Sequence, residues 1–230
     1  MSVVRTGHQM HAYLIEQVNH MIRRLGMFGG EPALWTTFEH LYHLEGDDNG
    51  RADLWQSWEE RKEFRSTGLK GALAQLLPDK IVSDAVASMY AEAARSRGWL
   101  ELDRTLTPGE LGELNESIES FAADDHVWSE VVAAFGEPSV LIGGSNRYYG
   151  KTLAYATADA ADPMVFFHLW NGTEPGTQHT WPPARLEPIL LAIRYGAGMW
   201  PDAFVFTPQG NSLRRHLQAD PTQTETSSRK

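Results

Sequence analysis

At Pro138 the spacing of apolar residues changes from a helical period to the period of strands, and this switch decides what the 230-residue chain can build. Before it, Thr6 and Gln9 stand at the spacing of a capping box, with a hydroxyl to accept from the third helical N–H and an amide to reach back. Met10, Tyr13, Leu14, Val18, Met21, Ile22 and Leu25 then recur every three or four residues, until Gly29 and Gly30. A second helix is predicted from Glu31-Pro32, carrying Leu34, Trp35, Phe38, Leu41 and Tyr42. A third buries Leu54, Trp55, Trp58 and Phe64, and a glycine-containing segment follows as far as Leu77. Pro78 opens a helix in which Ile81, Val82, Ala85, Val86, Met89, Tyr90 and Ala93 keep the period as far as Gly98. The segment Trp99–Asp103 reads as a short strand or extended connector. Thr107, Pro108 and Glu110 mark another helix start, and a last helix of this half runs from about Asp125 to Phe135.

After Pro138 the apolar runs are short, β-branched or aromatic, and separated by turn residues: "SVLIGG", "TLAYATA" and "MVFFHLW". A polar, proline-rich loop precedes a helix predicted over about 185–195. "AFVFTP" reads as an edge strand stopped by Pro208. The expected fold is α+β: a helical N-terminal half (1–136, about six helices) packed with a small, mostly antiparallel sheet carrying one C-terminal helix (137–217). Residues 218–230 have nothing apolar to bury and are expected to be a disordered tail.

Charge and composition narrow the function classes. The net charge is −10, of which residues 1–128 carry −9 (21 acidic, 12 basic) and residues 129–230 carry −1 (9 acidic, 8 basic). An acidic surface repels a phosphate backbone and attracts a basic protein, so nucleic acid is an unlikely partner by this reading. The absence of cysteine removes disulfides, thiolate metal sites and a cysteine nucleophile. With no signal-like start and no long apolar run, the expectation is a cytoplasmic protein without a membrane partner.

The stretch Val140–Ala158 spells something close to a phosphate-binding loop, with Gly150-Lys151-Thr152 after a glycine cluster. That loop requires a glycine at 145, where Ser145 stands, and a helix after the threonine, where a strand is predicted. The reading is therefore a hairpin whose tip carries Arg147, Tyr148 and Tyr149. Exposed Arg and aromatic side chains anchor protein interfaces, and Trp181 in the later loop joins them as a candidate partner-binding residue.

Histidine spacings (His8/His11, Glu16/His20, Glu39/His43, His40/His43) place possible ligands on helix faces, but no Glu-x-x-His motif accompanies them, so no metal is expected. Ser145, Asp162 and His168 follow the order of a hydrolase triad without the strained elbow around the serine. His168, Trp170 and His179 are candidate pocket residues, with His168 a general acid or base beside Glu174 or His179. No catalytic constellation emerges and no cofactor is implied.

Two short resemblances complete the reading. "IRRLGMFGGE", Ile22 to Glu31, is similar to the turn of gyrase-type ATPase domains, with Leu25 in place of the proline and no glycine-rich lid. "SRGWLELDRTLTPGELGELNE", Ser96 to Glu116, resembles the wing and following helix of winged-helix regulators. The recognition helix would then be 79–97, whose charges nearly balance. Three functions stay open: a non-catalytic protein-binding module of immunity or inhibitor kind that engages a basic partner; a small-molecule enzyme or binding protein with its pocket around His168; and a winged-helix DNA-binding regulator.

Overall fold

The computed structural model describes residues 6–63, 67–196 and 201–219. Eight helices and five strands follow one another: α1 (Gly7–Arg23), α2 (Gly30–Glu45), α3 (Gly50–Glu60), α4 (Gly68–Leu73), α5 (Asp79–Ser96), α6 (Pro108–Phe121), α7 (Trp128–Phe135), β1 (Val140–Ile142), β2 (Lys151–Tyr155), β3 (Val165–Trp170), β4 (Ile189–Arg194), β5 (Phe204–Phe206) and α8 (Pro208–Ala219). The strands form one antiparallel meander in chain order. The fold is α+β, with N-terminal helices, a five-stranded antiparallel sheet and a C-terminal helix on β4. No helix among the described residues is long and apolar enough to cross a membrane.

Both faces of the sheet are covered, and side-chain alternation sorts the two cores. Thr152 and Ala154 of β2 and Phe166, His168 and Trp170 of β3 face α5. Leu153, Tyr155, Val165, Phe167 and Leu169 face the other way, into a second cluster with Leu111, Leu114 and Ile118 of α6 and Val131 of α7. Helix α5 lies between the sheet and α1, α2 and α4, which is why residues all round it, from Ile81 to Arg95, are buried.

Both capping boxes form as their sequences require, at Thr6/Gln9 and at Thr107/Glu110. The connector 99–103 does not join the sheet. The Asn19 amide of α1 takes up its backbone groups, donating to Trp99 O (2.7 Å) and accepting from the Glu101 N–H (2.7 Å). Trp58 is buried as expected, whereas Trp55 is on the surface with Nε1 on Glu59. Phe64 and residues 220–230 lie outside the described residues.

The expected helix over 185–195 is strand β4, and the C-terminal helix lies further on, at α8. "ILLAIR" is apolar at every position but the last because both its faces are covered, and a six-residue apolar run carries no period that separates strand from helix. Pro188 also holds Glu187 out of the helical region. Pro208 ends the sheet only to begin α8, and the Thr207 hydroxyl accepts from the Gly210 N–H (3.2 Å) as an N-cap. The register between β3 and β4 slips by one after His168, leaving Leu191 as an extra residue. Its carbonyl accepts from the Thr207 N–H (3.1 Å), and Gly210 packs so closely on it that a Cβ would overlap the oxygen. Replacing Gly210 with Ala is expected to push α8 off β4 and cost about 2 kcal/mol in urea denaturation. The exposed Gln218→Ala on the same helix should stay within about 0.5 kcal/mol of the wild type.

Candidate functional site

The β1–β2 loop (143–150), the β3–β4 connection (171–188) and the first turns of α5 meet at one end of the sheet. Lys151 sets the shape of the loop. Its side chain is fully buried, and its ammonium lies 3.5 Å from the centroid of the Trp128 ring. It donates to the carbonyls of Gly144 (3.2 Å) and Asn146 (3.0 Å). A phosphate-binding loop turns its N–H groups inward, whereas this one turns carbonyls inward and wraps a cation of its own. Its glycines serve close packing instead: a Cβ on Gly143 would overlap the Asp84 carboxylate.

With the loop pinned from below, its tip points outward. Tyr148 and Tyr149 N–H groups donate back to Asn146, and Arg147 reaches across to Leu186 O (3.0 Å) and Glu187 (3.5 Å). Trp181, which precedes a cis peptide bond to Pro182, stacks on Tyr149 (centroids 5.7 Å apart, 25° between planes) and meets Tyr148 edge-on at 5.9 Å. Arg147 lies over the Tyr148 ring at 6.0 Å. The structure thus brings Arg147, Tyr148, Tyr149 and Trp181 into one cluster. Trp181 is 62% exposed and Tyr149 51%, and Leu186 stands close by at 65%. On the other flank Arg24 packs against Gly144 and reaches the sulfur of Met27 (3.9 Å), which is 74% exposed.

Beneath the aromatic rim is a cavity of about 600 Å³. Its lining includes the grouped Tyr148, Tyr149 and Trp181, Lys80 and Asp84, one turn apart on α5, and Glu174 and Arg185. Glu174 is held by Arg185 (2.6 Å) and by the amide of Gln209 (3.0 Å). A second hollow of about 460 Å³ adjoins the first, with Lys80, Gly172 and Thr173 lining both.

His168, Trp170 and His179 do not converge. His179 is an exposed residue of the first cavity, and Trp170 lines the second, with Arg185 5.8 Å above its ring. His168 lines neither cavity. It sits within β3, hydrogen-bonded through Nδ1 to Thr152 (2.9 Å) and stacked on Phe204, with Nε2 unpartnered. Burial, reinforced by the charge of Arg194, lowers its pKa to about 3 and keeps it neutral. His168 is thus a buried strand residue that reaches neither of these two hollows. The would-be recognition helix is also misplaced for DNA, because α5 is buried in the middle of the molecule. Among the described residues no group of three or more His, Asp and Glu side chains is placed to hold a metal. His11, one of the spaced histidines, pairs with Glu45 (2.8 Å). The chain matches no protein family, and neither a curated protein nor a solved structure is significantly similar to it.

Asp84 is the cavity residue that the sequence reading missed. The one available signal was a carboxylate set among apolar residues four positions from Lys80. Burial raises its pKa to about 7 against the opposing pull of Lys151 and Arg24. Burial also lowers Lys151 to about 8, with Asp84 and Glu187 opposing. An acid whose folded pKa stands above its unfolded value binds more protons folded than unfolded, so stability falls as pH rises from about 4 to about 7. Lys151 is protonated in both states below pH 7 and adds no slope there. Asp84→Asn should therefore gain on the wild type by about 2 kcal/mol between pH 4.5 and 6.5 in urea denaturation. Glu63, raised to about 7, and His168 titrate alike in both proteins and cancel in the difference.

Proposed function

We propose that the protein is a recognition module of immunity or inhibitor kind, which engages a basic protein through the face around the β1–β2 loop. The observation that carries this reading is the clustering of Tyr149, Tyr148 and Arg147, on a loop anchored from within, with Trp181 of the β3–β4 connection, two of the four being more than half exposed. Monomeric proteins rarely leave large aromatic groups adjacent and in water unless something covers them. Aromatic residues and Arg are the residue types whose burial contributes most at interfaces. Leu186 and, beyond Arg24, Met27 extend the apolar surface on either side.

The charge supports the choice of partner. With a net charge of −10, the molecule draws a basic protein toward it over several ångströms, faster at low salt. Contact at the rim then buries the tyrosines and the tryptophan, and the module acts by occupying its partner's surface rather than by chemistry.

The test compares wild type with the double variant Tyr149→Ala/Trp181→Ala as immobilised baits in lysate of the source cells. Both side chains are exposed, so the variant should keep the wild-type urea midpoint. A basic protein retained by the wild type, lost about tenfold or more with the variant and released by about 0.5 M salt, supports the reading. Retention of the same proteins by both baits, or of none by the wild type, overturns it.

A further inference from the structure

Below the rim, the cavity has a chemistry of its own that an interface does not require. Besides its aromatic residues, the cavity is lined by the polar side chains of Asn171, Thr173, Thr177, Gln178 and Thr180 and by the carboxyl of Asp84. At about 600 Å³ it has the size of a small-molecule site. Asn171 is a nearly buried wall residue whose Nδ2 donates to Arg185 O (3.1 Å), while its Oδ1 has no partner. A buried acceptor left without a donor costs stability until one is supplied.

The charges decide the class of ligand. Arg185 is committed to Glu174, Lys151 to the loop carbonyls, and Arg147 to Leu186 and Glu187. Among the described lining residues the exposed Lys80 and His179 remain for an anion, and two exposed side chains in an acidic protein do not hold a phosphate. A cationic ligand would meet Lys80 directly, with Arg24 and Lys151 behind Asp84. A fully apolar ligand would strand the amides and hydroxyls. What fits is an uncharged ring with hydroxyls at its edge and C–H groups on its faces. The electron-rich face of an aromatic ring attracts such C–H groups, and amides, hydroxyls and a carboxyl serve the edge.

We propose that this cavity is a binding site for a neutral saccharide of one or two rings, stacked against the wall of Trp181 and Tyr149 and hydrogen-bonded to Asp84 and the amides of Asn171 and Gln178. This site does not depend on the protein partner, and the two are separable by residue. Asp84 lines the cavity and is no part of the exposed aromatic cluster, whereas Trp181 belongs to both surfaces, so Asp84→Asn should weaken saccharide binding and leave partner capture intact.

The experiment titrates the full-length protein with maltose, cellobiose, lactose and N,N′-diacetylchitobiose, read by calorimetry and by tryptophan fluorescence, with adenosine, inorganic phosphate and lysine as comparison ligands. At least one disaccharide is expected to saturate the protein, with affinity falling about tenfold or more in Trp181→Ala and in Asp84→Asn. The Asp84→Asn variant keeps its fold if its near-UV circular dichroism matches the wild type, and Thr180→Val, at an exposed lining residue, serves as a second variant if it does not. The proposal is overturned if no saccharide saturates by about 20 mM, if the variants bind as the wild type does, or if only adenosine, phosphate or lysine binds.

Discussion

The molecule is organised by the burial of α5. A helix whose residues from Ile81 to Arg95 are covered nearly all round has the sheet on one side and α1, α2 and α4 on the other. It therefore joins what the sequence divides into two halves. Polar groups on such a helix need internal partners. Arg95, near its C-terminus, donates to the carbonyls of Thr157 (3.0 Å), Asp159 and Asp162 (2.5 Å), which ties the β2–β3 connection to the helix. Glu92 binds Arg194 of β4 (2.6 Å), and the guanidinium lies 4.2 Å from the Phe166 ring. The terminal guanidinium nitrogens of both arginines donate to protein acceptors, so these buried charges hold the two layers in one register.

The same logic operates at the opposite end of α5 with another outcome. Lys151 has only carbonyls and an aromatic face for direct partners, and Asp84 stands nearby at a pKa raised by burial. Two ionisable groups are each displaced from their ordinary values toward neutrality, which means that each charged form costs stability in this setting. Arg95 and Arg194 close off polar groups of the core, but Asp84 keeps a side on the cavity. A fold that retains such a group where an Asn or a hydrophobic residue would be more stable is spending stability on that position.

How much of this was legible in the sequence depended on whether the deciding signal was local. The capping boxes at Thr6 and Thr107 were readable because four residues contain the whole interaction. β1, β2 and β3 were readable because turn residues bracket short β-branched runs. β4 was not, because a strand covered on both faces loses the alternation that identifies strands, and its covering helix α8 begins about 13 residues beyond the end of the expected one. Pro208 was correctly read as the end of pairing and not as the start of a helix, which Thr207 before it signals. At the site, Arg147, Tyr148 and Tyr149 are neighbours in sequence, so their shared location was a local inference. Their contact with Trp181, and the opposition of Asp84 to Gly143, join segments that lie dozens of residues apart. His168 was chosen for its chemistry alone, and only the packing of β3 reveals that this chemistry is sealed away.

The Gly-Lys-Thr triplet shows the same dependence in one place. Lysine beside glycine suggests phosphate because in a phosphate loop the backbone N–H groups and the ammonium act together on one anion. Here Thr152 is in a strand and pairs with His168, and the lysine ammonium faces carbonyl oxygens of its own loop. Satisfying that ammonium internally has a structural consequence. The backbone of residues 144–146 curls inward around Lys151, and the next residues, Arg147 to Tyr149, are left outside the curl. A buried cation thus fixes the exposed aromatic tip, so the rim is held from the interior as well as by its own stack of Tyr149 and Trp181. That arrangement leaves Tyr149 and Trp181 free of any role in the core, and it places them at a cavity that Asp84 also lines, one of the two carboxylates whose charge counters the effect of burial on the same lysine.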